Sequence, residues 1–289
     1  MRKVLVTGSN GQLGNSIRKM EAYYPTYSFV YTDVADLDIT KWDEVEAFFK
    51  AGGFTDVVNC AAYTAVDKAE EEYDLAYLIN ATGPANLAKA SKQFHCKFIH
   101  VSTDYVFDGK AYQPYVEDDP ANPPSAYGKS KLEGEKLVLQ QGQGTVIIRT
   151  SWLYSEFGNN FIKTMMKYGA EREELRVVYD QIGTPTYAGD LAEAIMKIIQ
   201  NEKETLKNEV YHFSNEGVVS WYDFAREIMD AAKIECRISP ILSVEYPLPA
   251  PRPYFSVLNK AKIKSSFQIE IPYWKDSMLK CMDLLLAKG

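Results

Sequence analysis

Lys3-Val4-Leu5-Val6-Thr7-Gly8-Ser9-Asn10-Gly11-Gln12-Leu13-Gly14 is the stretch on which the fold turns. Lys3 to Thr7 is a short, mostly apolar run of strand-forming residues. Three glycines follow, and Asn15 to Met20 then mixes polar and apolar residues as a helix does. Strand, glycine-rich turn and helix in this order open a dinucleotide-binding unit. The glycines permit a tight turn and let the backbone approach a pyrophosphate, which sits at the positive end of the helix. The loop Gly8, Asn10, Gly11 and Gly14 is therefore a candidate cofactor cradle, although its G-x-x-G-x-x-G spacing departs from the commoner G-x-G-x-x-G.

Outward from this unit, apolar strand-like runs alternate with helical stretches. Ser28 to Thr32 predicts a second strand, and Asp56 to Ala62 a buried strand passing into a small-residue loop. Ala76 to Phe94 predicts a helix, and Lys97 to Thr103 and Thr145 to Arg149 two more strands. Such alternation, with near-continuous apolar strands, indicates an α/β fold with a doubly wound parallel sheet covered on both faces. Ligands of these sheets bind beyond the carboxyl ends of the strands, where the glycine loop, Asp33, Ala61-Ala62 and Thr103 all fall. A Pro-rich loop spans 107–125. Beyond Trp152 the alternation loosens, with helices expected at Asn160 to Ala170, Gly189 to Gln200 and Trp221 to Ala232. We expect residues 1–150 to form the dinucleotide-binding domain, with parts of 178–215 returning to it, and 151–289 mainly a smaller substrate-binding domain.

The 289 residues suffice for a substantial core, and 46% hydrophobic with 25% charged residues is the balance of a soluble globular protein. A formal net charge of −7 argues against a nucleic-acid surface. No apolar run reaches the ~18 residues of a membrane span, and Met1-Arg2-Lys3 runs directly into a strand, so a cytoplasmic protein is expected. Cys60, Cys96, Cys236 and Cys281 lack metal-ligand spacing and read as buried thiols. His95, His100 and His212 form no ligand pattern and read as structural.

Chemistry enters at Ser125-Ala126-Tyr127-Gly128-Lys129-Ser130-Lys131. On a helix, Tyr127 and Lys131 share a face one turn apart. A nearby ammonium favours the phenolate and lowers a phenol pKa that otherwise lies near ~10. Thr103 supplies a hydroxyl at a strand end, completing a Thr/Tyr/Lys set suited to proton transfer at a carbinol oxygen. Asp33 lies where a carboxylate meets the adenosine ribose, a placement that favours NADH over NADPH.

These residues resemble the extended short-chain dehydrogenase/reductase superfamily. Further runs, Ala61-Ala62-Tyr63-Thr64-Ala65-Val66-Asp67-Lys68-Ala69-Glu70, Ser102-Thr103-Asp104-Tyr105-Val106-Phe107-Asp108-Gly109 and Arg149-Thr150-Ser151-Trp152-Leu153-Tyr154, are similar to the dTDP-4-dehydrorhamnose reductase family over nearly the whole chain. The resemblance implies a Rossmann-type enzyme that reduces the C4 ketone of dTDP-4-dehydro-β-L-rhamnose to dTDP-L-rhamnose with NADPH or NADH. It implies Thr103, Tyr127 and Lys131 as the catalytic set, with Tyr127 the proton donor. Thr103, Asp104 and Trp152 inherit contacts with the deoxysugar, and Gln12, Leu13, Asp38, Ile39, Ala61, Ala62 and Tyr63 inherit contacts with the cofactor. Tyr63 replaces a His found in many members. Asn15-Ser16 replaces an acidic residue that some members use in a metal-bridged dimer, so no metal is expected and a homodimer by that route is in doubt. Two rivals fit the same residues: a nucleotide-sugar epimerase or dehydratase that keeps its NAD, and a regulatory subunit resembling that of methionine adenosyltransferase.

Overall fold

In the computed structural model, which describes residues 2–201 and 207–287, the first half of the chain follows the expected alternation. It runs β1 (Arg2–Thr7), α1 (Gln12–Met20), β2 (Tyr27–Thr32), α2 (Trp42–Gly52), β3 (Asp56–Asn59), α3 (Tyr73–Tyr77), α4 (Gly83–Gln93), β4 (Lys97–Thr103), α5 (Ala126–Gln141) and β5 (Thr145–Thr150). The second half holds β6 (Leu153–Tyr154), α6 (Phe161–Glu171), β7 (Glu174–Val178), β8 (Ile182–Gly183), β9 (Thr186–Tyr187) and α7 (Ala188–Gln200). β10 (Glu209–His212), β11 (Val219–Ser220), α8 (Trp221–Ala232), β12 (Arg237–Ile241), α9 (Ala261–Phe267) and α10 (Trp274–Leu286) follow.

Six strands form one parallel sheet in the order β10-β5-β4-β3-β1-β2. Val4, Leu5 and Val6 of β1 are fully buried because helices cover both faces. On one side α1 and α7 pack Leu13, Ile17, Leu191 and Ile195 against the sheet. On the other, Val45 and Phe49 of α2, Leu87 of α4 and Val138 of α5 do the same. Burial of each such side chain contributes about 1.5–3 kcal/mol. β10 brings residues 209–212 back to the sheet beside β5, in register Tyr211 with Ile148. A third apolar cluster lies among α6, α8 and α10, around Ile162, Phe224, Ile228 and Met278. The parallel pair β7–β12 lies outside the main sheet.

The helix expected over Ala76 to Phe94 is interrupted. Leu78–Thr82 forms a π turn between α3 and α4. Pro84 opens α4 without an N–H, so it cannot return the usual bond to the carbonyl of Asn80, and the ladder widens there. The freed Asn80 carbonyl points at α5, where a Cβ on Gly134 would lie only 2.0 Å from it. Glycine at 134 is thus what lets α5 lie against the π turn.

Candidate active site

The strand order reverses between β1 and β3, and a crevice opens beyond the carboxyl ends at such a point. Here it is a cleft of about 720 Å³. Gly8, Gly11, Gln12 and Leu13 line it from the glycine loop, Asp33, Asp38 and Ile39 from beyond β2, and Ala61 and Ala62 from beyond β3. Thr103, Asp104, Tyr127, Lys131 and Trp152 line the remainder. Asn10, Gly14 and Tyr63 are not among the lining residues. Gly14 instead packs α1 onto the loop, since a Cβ there would fall 2.5 Å from Ser9. Tyr63 turns its phenol to Glu72, while Asn80 takes both its N–H and its carbonyl.

The glycine loop has the shape an anionic dinucleotide needs. Gly8 adopts φ +63°, and a Cβ on it would lie 2.5 Å from the Ala61 backbone, so only glycine lets the β1 and β3 loops meet. Gly11 is the N-cap of α1 and offers no side chain to the first-turn N–H groups. Those donors, at the positive end of the helix, are left for a phosphate. Asp33 accepts from the backbone N–H of Asn10 at 3.2 Å and of Val34 at 2.9 Å, which fixes its carboxylate at the cleft. Asp38 is held by the hydroxyl and N–H of Thr40, and the hydroxyl lowers its pKa.

Ser125 caps α5, its hydroxyl accepting from Gly128 N–H at 3.1 Å. A Cβ on Gly128 would sit 2.3 Å from the Tyr105 carbonyl, so glycine lets the first turn of α5 close on the segment after β4. Tyr127 is thereby brought to Thr103 and Asp104. The phenol is pushed up to about 12 by burial; the Thr103 hydroxyl draws it down and Asp104 pushes it up. This corrects the expectation that Lys131 lowers it: the Lys131 ammonium donates instead to the Val101 carbonyl at 2.8 Å. Burial pulls Lys131 down to about 8, against the attraction of Glu135. The Tyr127 phenol, so placed, keeps its proton at neutral pH.

Thr103 donates to Asp104 Oδ1 at 3.0 Å and accepts from Tyr105 N–H at 3.2 Å. Burial raises the Asp104 carboxyl to about 6, against the pull of the Ser256 and Thr103 hydroxyls. Trp152 takes a left-handed backbone, φ +48°, uncommon for any residue but glycine. His100 and His212 are buried in the sheet, and burial lowers the pKa of each.

Several contributors escaped sequence reading. Asn80 donates to Ser130 Oγ at 3.0 Å, and Ser130 donates to the Tyr127 carbonyl at 2.8 Å, so the π turn steadies the helix that carries the phenol. Behind Lys131, Glu135 makes a buried paired contact with Arg149, 2.7 Å at the closest, and accepts from Ser102 at 2.5 Å. Gln12 reaches across the cleft. Its Nε2 donates to the Leu153 carbonyl at 3.3 Å, and its Oε1 accepts from Ser155 at 3.1 Å and Asn160 at 2.9 Å. The resemblance marks Gln12 as a cofactor contact and does not show this reach to the turn beyond Trp152.

Sheet, glycine loop and Tyr-x-x-x-Lys helix together define a Rossmann-type oxidoreductase of the extended short-chain class. The chain belongs to the family described as the RmlD substrate binding domain, whose model matches residues 1–286. It is 41% identical over 286 residues to the dTDP-4-dehydrorhamnose reductase of Aggregatibacter actinomycetemcomitans, covering 96% of this chain and 97% of that one. A solved dTDP-4-dehydrorhamnose reductase from Clostridium acetobutylicum superposes with a TM-score of 0.93 at 46% identity, covering 98% of this chain and 99% of that one. The Bacillus anthracis dTDP-4-dehydrorhamnose reductase, solved in complex with NADP, superposes at 0.92 with 38% identity and full coverage of both chains.

Proposed function

We propose that this protein reduces the C4 ketone of dTDP-4-dehydro-β-L-rhamnose to dTDP-L-rhamnose, using NADPH or NADH. The observation that carries the reading is the meeting of Thr103, Tyr127 and Lys131 in one cleft with Asp104 and Trp152 beside them. The full-length likeness to reductases of that name, one of them solved with NADP, supports it.

The dinucleotide fits the glycine loop on two structural grounds: the cradle that a Cβ would fill at Gly8, and the uncapped first turn of α1. When bound, the nicotinamide supplies the hydride that reduces the ketone carbon. Tyr127 then gives its phenolic proton to the developing alkoxide. Its raised pKa keeps that proton in place until an oxygen more basic than the ketone forms. Thr103 steadies the same oxygen by hydrogen bonding, while Lys131, whose ammonium lines the cleft, would hold a ribose hydroxyl of the bound dinucleotide. Trp152 presents an apolar face to the sugar methyl group. Asp33 receives the adenosine ribose hydroxyls and disfavours a 2′-phosphate, which tilts the choice towards NADH. Residues 1–150, with the returning 188–200 and 209–213 segments, make the dinucleotide-binding part, and the α6–α8–α10 cluster makes the sugar-nucleotide part. Cytoplasmic synthesis of an activated sugar is the setting this chemistry suits. No helix among the described residues is long and apolar enough to cross a membrane.

The test is loss of reduced-cofactor absorbance with enzymatically prepared dTDP-4-dehydro-L-rhamnose, comparing NADH with NADPH. Tyr127→Phe is expected to lose at least a hundredfold in kcat with cofactor affinity nearly unchanged, since general acid catalysis contributes roughly 10²–10⁴-fold. A fully active Phe variant would sink the assignment. Nucleotide carried tightly through purification, with no net turnover, would favour the epimerase or dehydratase reading.

A further inference from the structure

Trp152 lines the cleft while holding an unfavourable backbone conformation, which its surroundings must fix. The packing identifies what does. The Trp221 ring stacks on Trp152 with centroids 3.5 Å apart and planes within 7°. Trp221 is itself backed by Phe161, at 4.6 Å. On the Trp152 ring's benzo edge, Gly183 comes so close that a Cβ there would lie 2.7 Å from it. Trp221 and Gly183 belong to one unit. β8 and β11 pair antiparallel, Val219 with Gly183 and Ser220 with Ile182, and Trp221 follows directly as the first residue of α8. Ser220 and Asp223 fasten that helix start by a reciprocal capping box. A two-stranded clamp thus grips Trp152 from two sides, and Trp221 is not among the residues lining the cleft.

We infer that Trp221 is a positioning residue for the sugar subsite, setting through its stack the place and tilt of the Trp152 wall against which the sugar binds. This rests on the nucleotide-sugar reductase reading above. Without the stacked face, Trp152 can swing into the vacated space and relax its backbone, and the wall moves away from the sugar while the glycine loop stays as it is. The effect therefore falls on the sugar nucleotide and spares the dinucleotide.

The experiment measures KM for dTDP-4-dehydro-L-rhamnose and for the reduced cofactor in wild type, Trp221→Ala, Trp221→Phe and Phe224→Leu. Trp221→Ala is expected to raise the sugar-nucleotide KM about tenfold with cofactor KM within twofold, and Trp221→Phe to recover most of the loss. Phe224→Leu, whose ring meets Phe161 and Trp221 but makes no ring pair with Trp152, is expected to lower Tm while leaving sugar KM unchanged. The inference is overturned by folded Trp221→Ala with sugar KM within twofold of wild type, by cofactor KM rising in step, or by an equal rise in Phe224→Leu. The stack is also read without activity, as a paired positive and negative tryptophan band in far-ultraviolet circular dichroism. That pair must vanish in both Trp221→Phe and Trp152→Phe, and its absence from folded wild type overturns the inference. Wild-type protein that shows the paired band but turns over no dTDP-4-dehydro-L-rhamnose would instead count against the functional reading, and would leave Trp221 without a sugar wall to set.

Discussion

Replacing Lys131 with methionine is expected to abolish turnover and at the same time make the protein more stable. Lys131 is 2% exposed, and burial pulls its ammonium from the ordinary 10.5 to about 8. A displacement of that size corresponds to about 3 kcal/mol of folding free energy, since each pKa step is worth ~1.4 kcal/mol. Methionine fills a similar volume without the charge, but leaves the Val101 carbonyl without its donor, a loss of about 1 kcal/mol. The net gain at pH 7 is then about 2 kcal/mol. Its pH dependence has a definite sign. Between pH 8 and 10.5 the unfolded lysine still binds its proton while the folded one has released it, so wild-type stability rises relative to the variant. By about pH 9.5 the advantage of the variant shrinks by about 2 kcal/mol and nearly disappears. Chemical denaturation of both proteins at pH 7 and 9.5, monitored by tryptophan fluorescence, reads this directly. A variant less stable than wild type at pH 7, or a difference that stays flat across that interval, would refute the reasoning.

Gly134→Ala drives a methyl group into the Asn80 carbonyl, which is backbone and cannot step aside. It is expected to cost about 2–3 kcal/mol, as overpacking does, and to lower kcat, because Tyr127 and Lys131 ride on the displaced helix. Near-wild-type Tm and kcat would show that α5 does not depend on that close approach. Arg149→Met strands the buried Glu135 carboxylate and is expected to cost about 3–5 kcal/mol in chemical denaturation, with a Glu135→Leu/Arg149→Met double variant recovering most of it. Equal losses in the single and double variants would show that the pair is not coupled.

The parts of this fold that sequence reading reaches are those set by local pattern. Lys3 to Thr7 and Lys97 to Thr103 are apolar because they are covered on both faces, and Trp221 to Ala232 is bounded by its cap, so their limits agree closely with β1, β4 and α8. The Tyr127 helix and Thr103 come together as their spacing and strand-end position imply. What escapes the sequence is set by contacts between distant residues. The π turn depends on Pro84 acting on the Asn80 carbonyl, and on a glycine fifty-four positions further along that gives it room. The phenol pKa follows from burial among Thr103, Asp104 and Tyr105, whereas helical spacing alone points to Lys131. The pairing of β7 with β12 joins segments some sixty residues apart, and neither carries a pattern that marks the partnership.

The side-chain amide of Gln12 ties the glycine loop to Leu153, Ser155 and Asn160. Modularity is the property this compromises. A chimaera joined near residue 150, with the nucleotide half from one relative and the sugar half from another, would leave this amide facing a turn it did not fold with. Its donor and both of its acceptor contacts lie beyond such a junction. Glutamate in its place would set a carboxylate oxygen against the Leu153 carbonyl where a donor now stands. Exchange of sugar specificity between members of this family therefore calls for carrying Gln12 along with the 153–160 turn, so that the two halves move as one inherited unit.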